Sequence, residues 1–524
     1  MGFQNFIYSV QRIRPNKLIW DFGNRFRGNP VAQDMDDKTR TALKIGGVGI
    51  VAGLIGQWLF AQTGVGINAL ILTLAVVALA GFAFWKPVVG IDRRRLALYG
   101  ALICVFAGML AWRDSTILLI LNFVALFALI GLCAVRPSDP SGEVQSVGTF
   151  VIRSCAQWLL LFIEAVLLMT DITWSALKLP AENTRAKAVL RGALMALPVL
   201  IIFGALFASA DPLFRRAVSI DAMFKMDFEE AAQRFIMFWV IGAVTVGLLR
   251  QLFIGSQNQE NVLKINPKVK IEPLIGPIEF GMIFGSLALL FAAFLGFQVR
   301  YLFGGNDLVL ATTGLTYAEY ARRGFFELAT VAGLSIPLLL GFSSIYRRET
   351  PRSIRIYQVI SSVFIGLLIV VLGSAVYRMN LYVDIYGLTE LRYGVEASMV
   401  AMAVLFAGLA VIIWMNQIKR VGQLMAFVIF GSIISLNVAN PDSVIAAHNL
   451  ARMGENKRID HSYLAHLSSD AVPVILRSLD KMPQDVRDSL TASIKEKTEN
   501  QKGDWRQWNV SRVVAQRASR KLRE

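Results

Sequence analysis

The stretch Val359-Ile-Ser-Ser-Val-Phe-Ile-Gly-Leu-Leu-Ile-Val-Val-Leu-Gly-Ser-Ala-Val376 decides the fold. It carries no charge, and crossing the hydrocarbon core of a bilayer takes roughly 20 apolar residues, with about 17 as the lower limit. Such a segment must satisfy its own backbone in lipid, which makes it a helix. Ten further runs match it or come close: Ile45 to Ala61, Ile67 to Trp85, Leu96 to Trp112, Ser115 to Val135, Val189 to Ser209, Phe235 to Phe253, Ile275 to Phe297, Gly324 to Ser343, Val395 to Trp414 and Leu424 to Val438. The expected fold class is therefore all-α, a polytopic transmembrane bundle of about eleven spans with a soluble helical C-terminal module.

Composition agrees. Of 524 residues 55% are hydrophobic and 17% charged, too little polar surface for a soluble fold of this size. The formal charge of +16 fits a cytoplasmic excess of Lys and Arg around membrane spans, so a nucleic-acid partner is not expected. Cys104, Cys133 and Cys155 lie in apolar runs and form neither a disulfide framework nor a metal-ligand pattern. The glycine pairs Gly49 with Gly53 and Gly281 with Gly285 read as close helix-packing contacts.

A twelfth run, Ser154 to Thr170, holds Glu164 and is flanked by Arg153 and Asp171, which favours an interfacial placement. With it lying flat, Lys and Arg number about 27 on the side of the N-terminus against about 10 in the opposite loops. The N-terminus is then cytoplasmic and the C-terminal module outside. No cleavable signal peptide is expected, because the first long apolar run begins near Ile45. Five segments follow: an amphipathic N-terminal segment (1–44), a first four-helix group (45–135), a cytoplasmic or interfacial linker (136–188), a main transmembrane domain of about seven spans (189–438) and the C-terminal module (439–524). In the last, helices are expected from Pro441 to Met453, Asp460 to Leu467, Ser469 to Leu479, Pro483 to Lys497 and Gly503 to Leu522.

Three charged segments fall on the outer side in this topology. The first contains Asp211, Arg215 and Arg216; the second Tyr317, Glu319, Tyr320, Arg322, Arg323 and Glu327; the third Arg378, Glu390, Arg392 and Glu396. Local helix-end pairing accounts for many of them: Asp211 before Pro212 is an N-cap, and Asp211 with Arg215, Arg323 with Glu327 and Arg392 with Glu396 stand four apart. The functional reading starts from what pairing leaves over. Arg215, Arg216, Arg300, Arg322, Arg323, Arg378 and Arg392 gather beside Tyr317, Tyr320, Tyr377, Tyr382 and Tyr386, and arginine forks bind phosphate or carboxylate bidentately. Glu327 and Glu396, about one turn inside their spans, are alternatively candidates for a proton path. The duplicated Gly-Leu-Thr at Gly314 to Thr316 and Gly387 to Thr389 hints at a repeat. No His-Glu-x-x-His or Gly-x-Ser-x-Gly pattern occurs, and no catalytic residue, metal or cofactor is expected.

These segments also carry a resemblance. Ala210-Asp211-Pro212, Leu315-Thr316-Tyr317 with Tyr320 through Leu328, Tyr386-Gly387-Leu388-Thr389 with Arg392, Asn440-Pro441 with Asn449, and Asp460 with Tyr463-Leu464 and Leu467-Ser468 resemble a family of bacterial polytopic membrane proteins catalogued as a domain of unknown function. The resemblance spans roughly Val189 to Leu479. It implies a bacterial inner (cytoplasmic) membrane location, and no established activity. The leading expectation is an envelope scaffold or sensor whose outer Arg/Glu/Tyr cluster and C-terminal helices bind an anionic lipid, a glycan intermediate or an envelope protein. The alternative is a transporter or lipid-handling permease using intramembrane Glu residues.

Overall fold

In the computed structural model the described residues are 30–83, 93–134, 228–254, 276–303, 317–346, 350–452, 460–500 and 503–520, with part of 161–171. They are helical: α1 (Pro30–Phe60), α2 (Ile67–Ala83), α3 (Arg93–Trp112), α4 (Thr116–Ala134), α5 (Phe228–Phe253), α6 (Pro277–Phe303), α7 (Tyr317–Ile345), α8 (Pro351–Tyr386), α9 (Glu390–Trp414) and α10 (Val421–Ala439). Shorter helices complete the chain: α11 (Pro441–Ala451), α12 (His461–His466), α13 (Val472–Ser478), α14 (Gln484–Asn500) and α15 (Val510–Arg520). Among the described residues, six helices are long and apolar enough to cross a membrane: Lys38–Phe60, Gln233–Phe253, Pro277–Gly296, Pro351–Tyr386, Glu390–Trp414 and Val421–Ala439. The expected run Val189 to Ser209 lies outside the described residues.

The chain divides into two compact units. The first comprises Met1–Gln62, Ala75–Ile91 and Leu159–Asn258; the second, Thr63–Leu74, Asp92–Trp158 and Gln259–Glu524. In the first unit α1 packs on α5 through the Gly49 and Gly53 face. A Cβ on Gly53 would stand 2.7 Å from the Phe238 carbonyl oxygen, so only glycine permits this backbone approach. The second expected glycine pair behaves differently: a Cβ on Gly281 would make an ordinary 3.6 Å contact with Ile360, and Gly285 faces open space.

In the second unit α8 is the central element. Thr350 and Ser353 close a capping box with Pro351 in the first turn, which fixes its start. It ends at Gly387, whose φ of 81° and ψ of 170° belong to glycine alone. The helix therefore extends beyond the uncharged run of the sequence at both ends, because caps rather than hydropathy terminate it. Phe280 and Phe284 of α6 and Phe364 of α8 pack with Tyr346 and Tyr357, ring centroids 4.6 to 5.2 Å apart. These contacts make α6 parallel to α8, while Phe280 against Tyr346 and Phe284 against Phe342 set α7 antiparallel to both. On the opposite flank, the Gln358 Nε2 donates to the carbonyls of Ile413 (3.3 Å) and Trp414 (3.1 Å), and the Trp414 Nε1 to Ser362 (2.7 Å), fixing α9 antiparallel to α8. Consequently the C-terminal turns of α6, α8 and α10 and the N-terminal turns of α7 and α9 lie at one end of the unit. Outward residues such as Val370, Val400, Val411 and Phe427 are more than half exposed, as a lipid-facing surface requires.

Candidate functional site

That end of the second unit is occupied by a buried polar hub. Its base is the turn between α3 and α4. Arg113 donates to the carbonyls of Asn437 (2.6 Å) and Val438 (3.3 Å), satisfying the last turn of α10, and pairs with Asp470 at 3.2 Å. The side chains of Arg113 and Asp470 are 10% and 1% exposed, so the pair is removed from water and its strength depends on further donors. These exist: Asp470 accepts from the Asp114 N–H (2.8 Å) and from the Ser511 hydroxyl (2.5 Å). Asp114 in turn accepts from the Arg512 Nε at 2.7 Å, and Asn509 donates to the carbonyls of Leu110 (3.2 Å) and Arg113 (2.8 Å). Lower in the bundle, the amides of Asn122 and Asn437 bond each other reciprocally at 3.0 and 2.9 Å, setting the register of α4 against α10.

The second half of the hub is the turn Gly387-Leu388-Thr389 between α8 and α9. Asn449 of α11 bonds both sides of Leu388, accepting from its N–H and donating to its carbonyl, each at 2.8 Å. Arg452 donates to the carbonyls of Asp384 (3.1 Å) and Ile385 (2.7 Å), closing the last turn of α8. The Glu390 N–H donates to the Tyr463 hydroxyl at 2.8 Å, and the Glu390 carboxyl lies close to that of Asp442. Asp442 is fully buried and also accepts from the Ser468 N–H at 3.2 Å. Burial pushes its carboxyl above the ordinary range and outweighs the Ser468 donors. Burial likewise raises the Tyr463 phenol and lowers the Lys497 ammonium, which donates to the carbonyls of Ala465 (2.8 Å) and Leu467.

Local sequence explains why these groups are in place. Asn440 takes the left-handed conformation (φ 57°), ends α10 and caps α11, so Pro441 can follow at the first helical position. Asp460 caps α12 by accepting from the Tyr463 N–H at 2.9 Å. Thus the Asn440-Pro441, Asn449, Asp460, Tyr463 and Ser468 positions that the sequence singled out, together with Gly387 to Thr389, come together in one place.

The predicted site residues divide into three groups. Asp211, Arg215 and Arg216 lie outside the described residues. Tyr317, Glu319, Tyr320, Arg322, Arg323 and Glu327 form the first turns of α7, at the hub end of the unit, and their side chains lie outside the description. Arg378 is buried in α8, and Glu390 belongs to the hub. Arg392 turns back to donate to the Gly387 carbonyl and to Tyr382 (3.4 Å), with its guanidinium 4.4 Å from the Tyr382 ring centre. Glu396 sits two turns into α9, partly buried. Sequence reasoning missed Arg113, Asp114, Asn122, Asp470, Ser511 and Arg512.

The first unit holds its own buried ion network. Arg250 pairs with Glu164 and, at 2.5 Å, with Asp171, which Lys38 also reaches at 2.8 Å. Of the three charges that favoured an interfacial placement for Ser154 to Thr170, Glu164 and Asp171 are therefore compensated inside the unit, where Leu161 and Leu168 are also buried, and Arg153 lies outside the described residues.

The family described as Domain of unknown function (DUF4153) matches residues 100–478. No curated protein and no solved structure matches the chain.

Proposed function

We propose that this chain, which belongs to the DUF4153 family, is a non-catalytic multi-pass scaffold or sensor of the bacterial envelope that binds an anionic lipid head group, a glycan intermediate or a protein partner at the hub end of its second unit. In this reading about eleven spans cross the inner membrane. The N-terminus is cytoplasmic, and the hub end with residues 439–524 faces outward. The observation that carries it is the hub itself. Its charged groups are spent on holding helices α11 to α15 against the ends of α3, α8, α9 and α10, which makes a rigid platform. The platform rim exposes Tyr377, Ile385, Tyr386 and Leu391 (43 to 71%) beside Arg392, and the first turns of α7 bring Arg322 and Arg323 to the same end. Aromatic rings and arginine at a membrane boundary suit a phosphate-bearing head group.

The test is a lipid titration of the purified protein in neutral detergent, read as thermal stability. Phosphatidylglycerol should stabilise it more than phosphatidylcholine does, and Arg322→Gln with Arg323→Gln should remove that difference. Equal stabilisation by both lipids, or a difference untouched by the double variant, would count against the reading.

A further inference from the structure

The last described segment returns to the ends of two apolar helices. The Ile67 N–H, at the first residue of α2, donates to the Trp508 carbonyl at 2.9 Å. A Cβ on Gly66 would lie 2.6 Å from that same oxygen, so the two backbones touch. One residue further on, Asn509 holds the carbonyls of Leu110 and Arg113, and the Ser511 hydroxyl oxygen lies 2.8 Å from the Trp112 carbonyl. Trp508 is thereby fixed level with the start of α2 and the end of α3, and Trp505 lies one turn before it, its carbonyl accepting from the Trp508 N–H at 3.0 Å.

Both indoles are open, Trp505 by 55% and Trp508 by 43%, and Trp112 at the end of α3 by 36%. The helices beneath them present Leu74, Leu98 and Val105 outward at 44 to 57% exposure. An apolar helix surface of this kind is covered by acyl chains, and the level at which such helices begin and end is the head-group layer. That layer is where tryptophan is most stable, its ring in the apolar margin and its N–H in the wet one.

We propose that Trp505 and Trp508 lie in the head-group layer of the bilayer beside the ends of α2 and α3, so that the C-terminal segment is a cap seated on the membrane surface with lipid as its partner. The occupant is the bilayer interface itself, because the indoles are continuous with a lipid-facing helix surface. Indole partitioning does not require anionic lipid, so this inference is independent of the reading above and survives its failure. The hub supplies the rigidity: Asp114, Asp470 and Arg512 fix the segment on the α3–α4 turn, and the tryptophans set its depth.

The experiment uses the full-length protein in vesicles of phosphatidylcholine brominated near the head group. Trp505→Phe with Trp508→Phe should lose part of the bromine-quenched tryptophan fluorescence, equally with and without added phosphatidylglycerol. In a variant lacking the three native cysteines, an environment-sensitive label on Trp508→Cys should be blue-shifted and quenched by head-group bromine. The same label on Glu496→Cys, exposed on α14, should remain open to aqueous iodide. An unchanged quenched component in the double Phe variant would overturn the proposal. So would iodide access at 508 equal to that at 496. Shielding of position 508 that persists without a bilayer would mean that protein covers the indoles, and would overturn it too.

Discussion

Replacing Gly387 by alanine attacks the hub at its narrowest point. The residue has φ 81° and ψ 170°, a region where a side chain costs about 1–3 kcal/mol. The new Cβ would also stand 2.5 Å from a guanidinium nitrogen of Arg452 and 2.8 Å from the Asn449 side-chain oxygen. Asn449 must then withdraw from Leu388, giving up two hydrogen bonds worth about 0.5–1.5 kcal/mol each and leaving a buried N–H unpaired. The strain and the two lost bonds together come to about 2–6 kcal/mol, concentrated where α11 meets the α8–α9 turn. Hydrogen exchange of the full-length protein in detergent reads this locally. A loss of about 4 kcal/mol raises exchange of the α11 amides about a thousandfold, since each 1.4 kcal/mol is a factor of ten. Gly373→Ala in the same helix, with nothing within 4 Å of its new Cβ, is the control and should leave α11 protected. Equal protection of α11 in both variants would refute the reasoning.

Other substitutions test the remaining parts. Asp470→Asn leaves the Arg113 guanidinium buried without its carboxylate and should cost about 3–5 kcal/mol in unfolding experiments. Asp480→Asn, on an exposed pair with Arg487, should cost under about 0.5 kcal/mol. Because burial raises Asp442 in the folded state, the native protein holds that proton more tightly than the unfolded chain does. The contribution of Asp442 to stability therefore falls as pH rises from its ordinary value near 3.8 towards the raised one. Asp442→Asn should flatten the pH dependence of thermal unfolding over that window, and an unchanged slope would show that another group sets it. In the first unit, Arg250→Met should destabilise by about 3–5 kcal/mol, and adding Glu164→Gln should recover part of the loss, measured by the same unfolding assay.

The helices were legible because their causes are local. Caps such as Asp460 and the Asn440-Pro441 pair can be read directly, and α11 to α14 begin and end within about three residues of where those signals stand, whereas the helix expected from Gly503 starts only at Val510, after a separate turn at Trp505–Gln507. The shortest expected span, Leu424 to Val438, is present as the apolar helix Val421–Ala439. The hub was only half legible. Gly387, Asn449, Asp460 and Tyr463 stand in recognisable motifs, whereas Arg113 and Asp470 are 357 residues apart and each resembles an ordinary helix-end charge. Arg392, read as one half of an i,i+4 pair with Glu396, spends its donors on Gly387 and Tyr382, because a free carbonyl at a helix end attracts a guanidinium strongly. Glu164 shows the same limit: as a sequence feature it argues against burial, and only the distant Arg250 reverses the argument.

The central claim is that the C-terminal helices are clamped to the ends of the membrane helices. The most direct measurement places cysteines at Asp114 and Arg512, whose side chains meet at 2.7 Å, in a variant lacking Cys104, Cys133 and Cys155. Native membranes are treated with a short bifunctional thiol reagent, and the linked peptides are identified by mass spectrometry. The account predicts an efficient link between positions 114 and 512, and little between 114 and Glu496→Cys. Free labelling of both sites by a monofunctional reagent, with no link between them, would contradict it.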